Sequence, residues 1–220
     1  MAQNRSSEEL AMRAIVVPEL RRRWPDARII HELSVRYSTN RIDLAAVTPD
    51  EIISVELKSS RDVCDRLEKQ LRAFLPISSR VIVALAPKWN ADLPMLKTDR
   101  GNGITAYTRQ FTEAQGIINS VGGHTETWTV DADAGTLNVT QKCYHANKPW
   151  PAKMLDVLHV SELIEIAASY GCGTGKRPVH AALVSSCADM MTGREIARSV
   201  CAALRVRNAF AAESDPPIKN

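Results

Sequence analysis

The heptapeptide "RVIVALA" at 80–86 constrains this chain more than any other stretch. After Arg80 it has no polar residue, and its β-branched side chains favour an extended backbone. A strand made from it has no face fit for water, so apolar cover is needed on both sides. The flanking sequence supplies it. Ser6 or Ser7 can cap a helix running to Arg23, with Leu10, Ala14, Val17 and Leu20 at helical spacing, and Pro18 is expected to kink or split it. Three strand-like segments follow at 28–35, 40–48 and 52–60, the last two joined by a "PDE" turn. From about Asp62 to Phe74 the period becomes helical, with Val63, Leu67, Leu71 and Phe74 on one face. Helix, three strands, helix and buried strand is the order of an α/β sandwich, not of a bundle or barrel.

Beyond Trp89 the pattern weakens. "TETWTVDADAGTLNVTQ" (125–141) reads as a hairpin about an Asp/Gly turn, and the rest of 89–150 carries no clear assignment. "NKPWP" marks a boundary. Three helical segments are expected after it, at about 152–169, 177–190 and 192–207, with Thr192 capping the third. The expected organisation is a domain over 1–150, a helical extension over 151–212 and a mobile tail over 213–220.

Composition narrows the setting. With 220 residues and a net charge of +3, the chain can bury a real core and is only mildly basic. That excess lies before residue 101, where Arg21, Arg22 and Arg23 form a run; such a run marks a nucleic-acid surface or a solvated helix end. Five scattered cysteines form neither a disulfide framework nor a zinc spacing, which suits a reducing cytoplasm. No apolar run is long enough to span a bilayer, and "MAQNRSSEEL" lacks a secretory h-region, so no membrane association is expected.

Three charges interrupt the best strand-forming sequence. In "RIDLAAVTPDEIISVELKSS" (41–60), Glu56 and Lys58 share one strand face by alternation, and a hairpin about the turn can bring Asp43 to them. Mg²⁺ or Mn²⁺ takes hard oxygen ligands, which Asp43, Glu56 and the Leu57 carbonyl can provide. Such a metal activates water and polarises a phosphodiester. Lys58 can hold the attacking water or neutralise charge developing on phosphorus. Without a cation the two carboxylates repel and one pKa rises. The bland reading is an exposed cross-strand salt bridge, and a single residue of register slip would turn Asp43 away.

The motif "RIDLAAV…ISVELKS" resembles the PD-(D/E)xK nuclease superfamily, with Asp43 as the acidic residue closing one strand and Glu56-x-Lys58 in the next. Ile42 stands where that family often has proline. The run "VELKSSRDVCDRLEKQLRAF" with "RVIVAL" resembles a narrower group of bacterial and phage-encoded nuclease-like proteins, its helix supplying Asp62, Arg66, Leu67 and Gln70. The resemblance implies a restriction-endonuclease-like core, a central mixed sheet flanked by helices, with a C-terminal helical extension. It implies a Mg²⁺- or Mn²⁺-dependent deoxyribonuclease with DNA as partner, and it leaves homodimerisation open. Glu32 is the choice for the family's upstream acid and is expected as a further metal ligand, with Glu9 and Glu19 as competitors. Gln70 is the choice for its helix glutamine, binding metal-held water or phosphate. Arg41 and Arg66 contact DNA phosphates or pair with neighbouring acids. The C-terminal helices vaguely resemble SAP-type DNA-binding modules, with Lys176 and Arg177 suited to phosphates; a helical cap is the competing reading. A non-catalytic DNA-binding or assembly protein on the same fold is the alternative function.

Other motifs fail on spacing. "GCGTGKR" (171–177) has Tyr170 at the first glycine of a phosphate loop and Arg177 at its last position. "HELSV" lacks the second zincin histidine, and "DADAG" places its glycine one residue early for a calcium loop. The four tryptophans are too scattered to form a stacking platform.

Overall fold

A computed structural model of the chain describes residues 6–35, 40–99, 105–121, 124–143, 145–173, 176, 178–208 and 210–218. The elements in order are α1 (Ser7–Arg23), β1 (Arg28–Ser34), β2 (Arg41–Val47), β3 (Ile52–Lys58), α2 (Leu67–Phe74), β4 (Arg80–Leu85), a 3-10 turn (Pro87–Asn90), β5 (Leu96–Asp99), β6 (Thr105–Thr108), α3 (Glu113–Val121), β7 (Thr125–Asp131), β8 (Thr136–Gln141), α4 (Pro151–Leu155), α5 (Val160–Ser169), α6 (His180–Met190) and α7 (Gly193–Val206). Six strands form one mixed sheet in the order β1-β2-β3-β4-β7-β8, and β5 and β6 pair separately. β3, β4 and β7 run parallel, and the other neighbours in the large sheet are antiparallel.

The apolar run at 80–86 is satisfied as its composition requires. Ile82 and Ala84 face one core, where Met12, Val16 and Leu20 of α1 meet Ile53, Val55 and Trp128. Val81, Val83 and Leu85 face the other, shared with Leu67, Leu71 and Phe74 of α2 and with residues of α3 to α7. The segment after "NKPWP" therefore contributes Met154, Leu163, Val200 and Leu204 to the same core as the sheet. Each such side chain, fully buried, contributes roughly 1.5–3 kcal/mol.

Several local expectations are corrected. α1 is capped by Ser6, whose Oγ accepts the Glu9 N–H, and runs unbroken through Pro18, which lies on the solvent side. Its buried stripe is Met12, Arg13, Val16 and Leu20, while Leu10 and Ala14 are exposed. α2 begins only at Leu67: residues 61–66 are turns, Val63 is exposed, and Cys64 points inward instead. The expected helix at 152–169 is two helices. The break at 156–159 ends where Glu162 reaches back to the His159 N–H at 2.7 Å. Thr192 does cap α7, reciprocally with Glu195. The hairpin at 125–141 forms, with a bulge at Thr127/Trp128.

The expected mobile tail is ordered as far as residue 218, because it completes an edge. β1 is an outer strand of the sheet, and its free backbone groups need partners. The Asp215 N–H donates to the Ile29 carbonyl at 2.8 Å, Asp215 Oδ2 accepts the Ile29 N–H, and Ser214 Oγ accepts the His31 N–H. Arg28, 2 % exposed, donates to the carbonyls of Leu204, Arg205, Arg207 and Asp215, closing the end of α7 and tying the tail to β1.

Candidate active site

The ladder between β2 and β3 ends at Leu44–Val55. Continued one step, it would set Asp43 opposite Glu56. Instead the Asp43 side chain replaces the missing backbone partner: its Oδ2 accepts the Leu57 N–H at 2.8 Å. The N–H and C=O of one residue lie on the same edge of a strand, so the Leu57 carbonyl also faces the gap between β2 and β3. The strands part here and frame a polar cleft of about 150 Å³. It is lined by Glu9, Glu32, Asn40, Arg41, Asp43, Glu56, Leu57, Lys58, Asp62, Arg66 and Gln70.

On its α2 side the cleft holds a buried ion pair. Lys58 Nζ lies 2.8 Å from Glu56 Oε1, with side-chain exposures of 7 % and 2 %. Gln70 Oε1 accepts from the same ammonium at 3.0 Å, so Gln70 orients Lys58. Two of three ammonium donors are thus engaged, leaving one for water or a phosphate oxygen. Glu56 Oε2 is buried and has no hydrogen-bond partner among the described residues. Such an orphaned anionic oxygen is costly unless a cation or water meets it.

On the α1 side the centre is Arg13, a residue that strand patterning did not single out. Its guanidinium contacts Glu9 Oε1 at 2.8 Å and Glu32 Oε1 at 2.7 Å, donates to the Asp43 carbonyl at 2.8 Å, and lies 3.7 Å from Asp43 Oδ1. His31 Nδ1 is 3.2 Å away. The only sequence signal for it is the Glu9/Arg13 spacing of four on one helix face.

Glu32 reaches this cluster through an irregular backbone. It is the one non-glycine residue with positive φ (59°) among those described, a conformation that costs about 1–3 kcal/mol. The β1–β2 ladder skips the Glu32–Asp43 pair. Alternation predicts that Glu32 shares a face with Ile30. Instead Ile30 and Leu33 both enter the α2-side core, and Glu32 joins His31 towards Arg13. Glu9, a competitor for the acid position, is also in the cleft; Glu19 instead pairs with Arg22 and Arg23.

Burial dominates the titration of the central acids. It pushes Asp43 up to about 6, against the Leu57 N–H and Arg13, which favour the anion. It pushes Glu56 up to about 8, with the Asp43 charge adding to the rise and Lys58 opposing it. This is the expected behaviour of two carboxylates that lack a cation between them.

The remaining residues separate clearly. Arg41 lines the rim and approaches Glu32 at 3.3 Å. Arg66 is exposed beside α2 and lines the cleft. Lys176 is exposed between α5 and α6 and is not among the lining residues; Arg177 lies outside the described residues. Among the described residues no group of three or more His, Cys, Asp and Glu side chains is arranged to hold a metal ion. A cation here would rest on two carboxylates, Asp43 and Glu56, and the Leu57 carbonyl. The orphaned Glu56 Oε2 and the raised carboxyl pKa values fit such a donor set.

Fold and cleft together define an α/β protein with a six-stranded mixed sheet in which the half-buried Asp43 meets the buried Glu56 and Lys58 where two strands part. In sequence, residues 2–104 match the family of bacteriophage P4 protein cII, a likeness that runs from α1 through β5 and includes every lining residue of the cleft. No curated protein and no solved structure matches the chain. No helix among the described residues is long and apolar enough to cross a membrane.

Proposed function

We propose that the chain is a metal-dependent deoxyribonuclease on a restriction-endonuclease-like core. The observation that carries this reading is the meeting of Asp43, Glu56 and Lys58 in one cleft, with Glu56 Oε2 buried and unpartnered. Asp43, Glu56 and the Leu57 carbonyl would hold Mg²⁺ or Mn²⁺, which supplies Lewis-acid activation of the phosphodiester and of water. The protein's own part follows from the contacts. Leu57 N–H fixes the Asp43 carboxylate, and Gln70 aims Lys58. The third Lys58 donor meets the attacking water or a non-bridging phosphate oxygen as negative charge grows. Arg41 and Arg66, on the rim, suit flanking phosphates.

A plasmid-cleavage assay with Mg²⁺ or Mn²⁺, run beside Lys58→Ala, tests this. The wild type should cut and the variant should be at least roughly 10²-fold slower. Equal inertness of both on duplex, single-stranded, flap and four-way DNA would sink the enzyme reading.

The second reading is a non-catalytic DNA-binding or assembly protein. It is favoured by the internal pairing of the cleft: Lys58 is committed to Glu56, and Arg13 to Glu9 and Glu32. Under that reading, Lys58→Ala would change stability and leave DNA affinity unaltered.

A further inference from the structure

A second cleft, of about 770 Å³, opens between the β7–β8 hairpin, α3 and the 3-10 turn. Its size suits a small organic group. Part of its wall is a closed hydrogen-bond brace. Asn90 Nδ2 donates to Thr129 Oγ1 and Thr140 Oγ1, and Asn90 Oδ1 accepts from Gln115 Nε2. That brace holds the turn to the hairpin and leaves other groups uncommitted. Asn119 and Gln141 also line the cleft, and neither side chain hydrogen-bonds to another described residue. Thr127 lines it too, is 3 % exposed, and its buried Oγ has no partner among the described residues. The bulge at Thr127/Trp128 sits beside it, the kind of irregularity that re-aims a side chain. At the rim, the Arg109 guanidinium lies 5.4 Å from the centre of the half-exposed Phe111 ring.

The chemistry of this wall selects its ligand class. The cleft's two charged lining residues, Asp92 and Arg109, are of opposite sign, so it does not favour a polyanion. Carboxamides and hydroxyls offer paired donors and acceptors in the pattern that reads base edges. An exposed aromatic ring with a guanidinium beside it is a stacking surface for a planar heterocycle. Position adds a further reason. Glu56 pairs with Val83, and Val83 with Thr127, so Glu56 and Thr127 lie in one row across the sheet. Two strand spacings separate them, roughly 10 Å. Val83 between them is fully buried, so a nucleic-acid strand would have to pass over the surface to join the two clefts.

We propose that this second cleft binds an unpaired nucleobase, read by Asn119, Gln141 and the Thr127 hydroxyl and stacked on Phe111. The proposal deepens the nuclease reading, from which it takes nucleic acid as the partner, but it is tested separately. The full chain is titrated with each of the four deoxynucleoside monophosphates by calorimetry, in buffer containing a chelator so that no metal recruits phosphate to the carboxylates. At least one nucleotide should bind with a millimolar or tighter Kd. The exposed double variant Asn119→Ala/Gln141→Ala should weaken it at least tenfold, as should Thr127→Val, while Lys58→Ala should leave it within twofold. Absence of saturable binding by all four nucleotides overturns the proposal. So does binding that survives the Asn119→Ala/Gln141→Ala change, or binding lost only in Lys58→Ala. Failure of DNA cleavage with Mg²⁺ alongside normal nucleotide binding would count against the nuclease reading and leave this site standing.

Discussion

Two arginines, Arg28 at the start of β1 and Arg13 on α1 against His31 and Glu32, are almost equally buried and do opposite things. Arg28 meets neutral backbone carbonyls at the end of α7. Arg13 meets the carboxylates Glu9, Glu32 and Asp43 at the edge of a cleft. Around Arg28 all three guanidinium nitrogens donate to fixed backbone carbonyls, which is how a structural staple satisfies a buried charge. Around Arg13 and Lys58 the acids outnumber the cations. Two acids are pushed towards protonation, and one buried carboxylate oxygen is orphaned. Under the nuclease reading, the surplus charge in the cleft and the satisfied charge of Arg28 are the difference between a site for chemistry and a site for stability.

The sharpest way to break that contrast is Glu56→Gln. Under the nuclease reading it should lower metal-dependent cleavage by roughly 10²–10⁴-fold, and the metal-free variant should lose less stability than the wild type as pH rises from about 4 to about 8, because no anion forms at this position. Loss of activity with loss of stability would mean that the carboxylate is structural. Next in size, Arg28→Met should destabilise the fold by roughly 3 kcal/mol, since several buried carbonyls lose their donor. Denaturant melts would show the loss, and the cleavage rate per folded molecule should not change.

A third test uses pH. Asp43 and Glu56 titrate higher in the folded chain than their ordinary values of 3.8 and 4.5, at about 6 and about 8. At these two groups the native state binds more protons than the unfolded state across this interval, so their contribution to stability falls as pH rises from about 4 to about 8. The part due to Glu56 is the wild-type minus Glu56→Gln difference, on the order of 4 kcal/mol by about pH 8, and added Mn²⁺ should reduce it. A difference that is flat with pH would remove the case for a strained acid pair. The smallest effect belongs to the rim. Arg41→Ala and Arg66→Ala should each weaken DNA binding a few-fold and lower the salt slope by about 1; unchanged slopes would assign both residues to local ion pairs.

The sheet was readable because strands obey a period of two and β4 admits no exposed face. Asp43, Glu56 and Lys58 stood out against that regularity. What escaped was whatever depends on a local break in the period. Glu32 belongs to the cleft, but strand alternation places it on the wrong face, since one positive φ moves it to the side of His31. Arg13 was hidden because the helix reading put Leu10 and Ala14 inward, while the true stripe is set a residue or two away, at Met12, Val16 and Leu20. Val63 fits a helical face in sequence but precedes the helix in space, because the Asp62 carboxylate accepts the Ser59 N–H and holds a turn there. The ordered tail was beyond reach for another reason: "ESDPP" has the composition of a loose end, and only a long-range partner reveals its use.

That tail has a consequence in time. The groups that cover the outer edge of β1 are added 187 residues after Arg28. At translation rates of about 5–20 residues per second, the interval is on the order of 10–40 s. Throughout it the nascent chain carries an open strand edge, available to chaperones or to a neighbouring chain on the same message. Slow synthesis should therefore lower the yield of folded protein more than any change in its final stability would suggest.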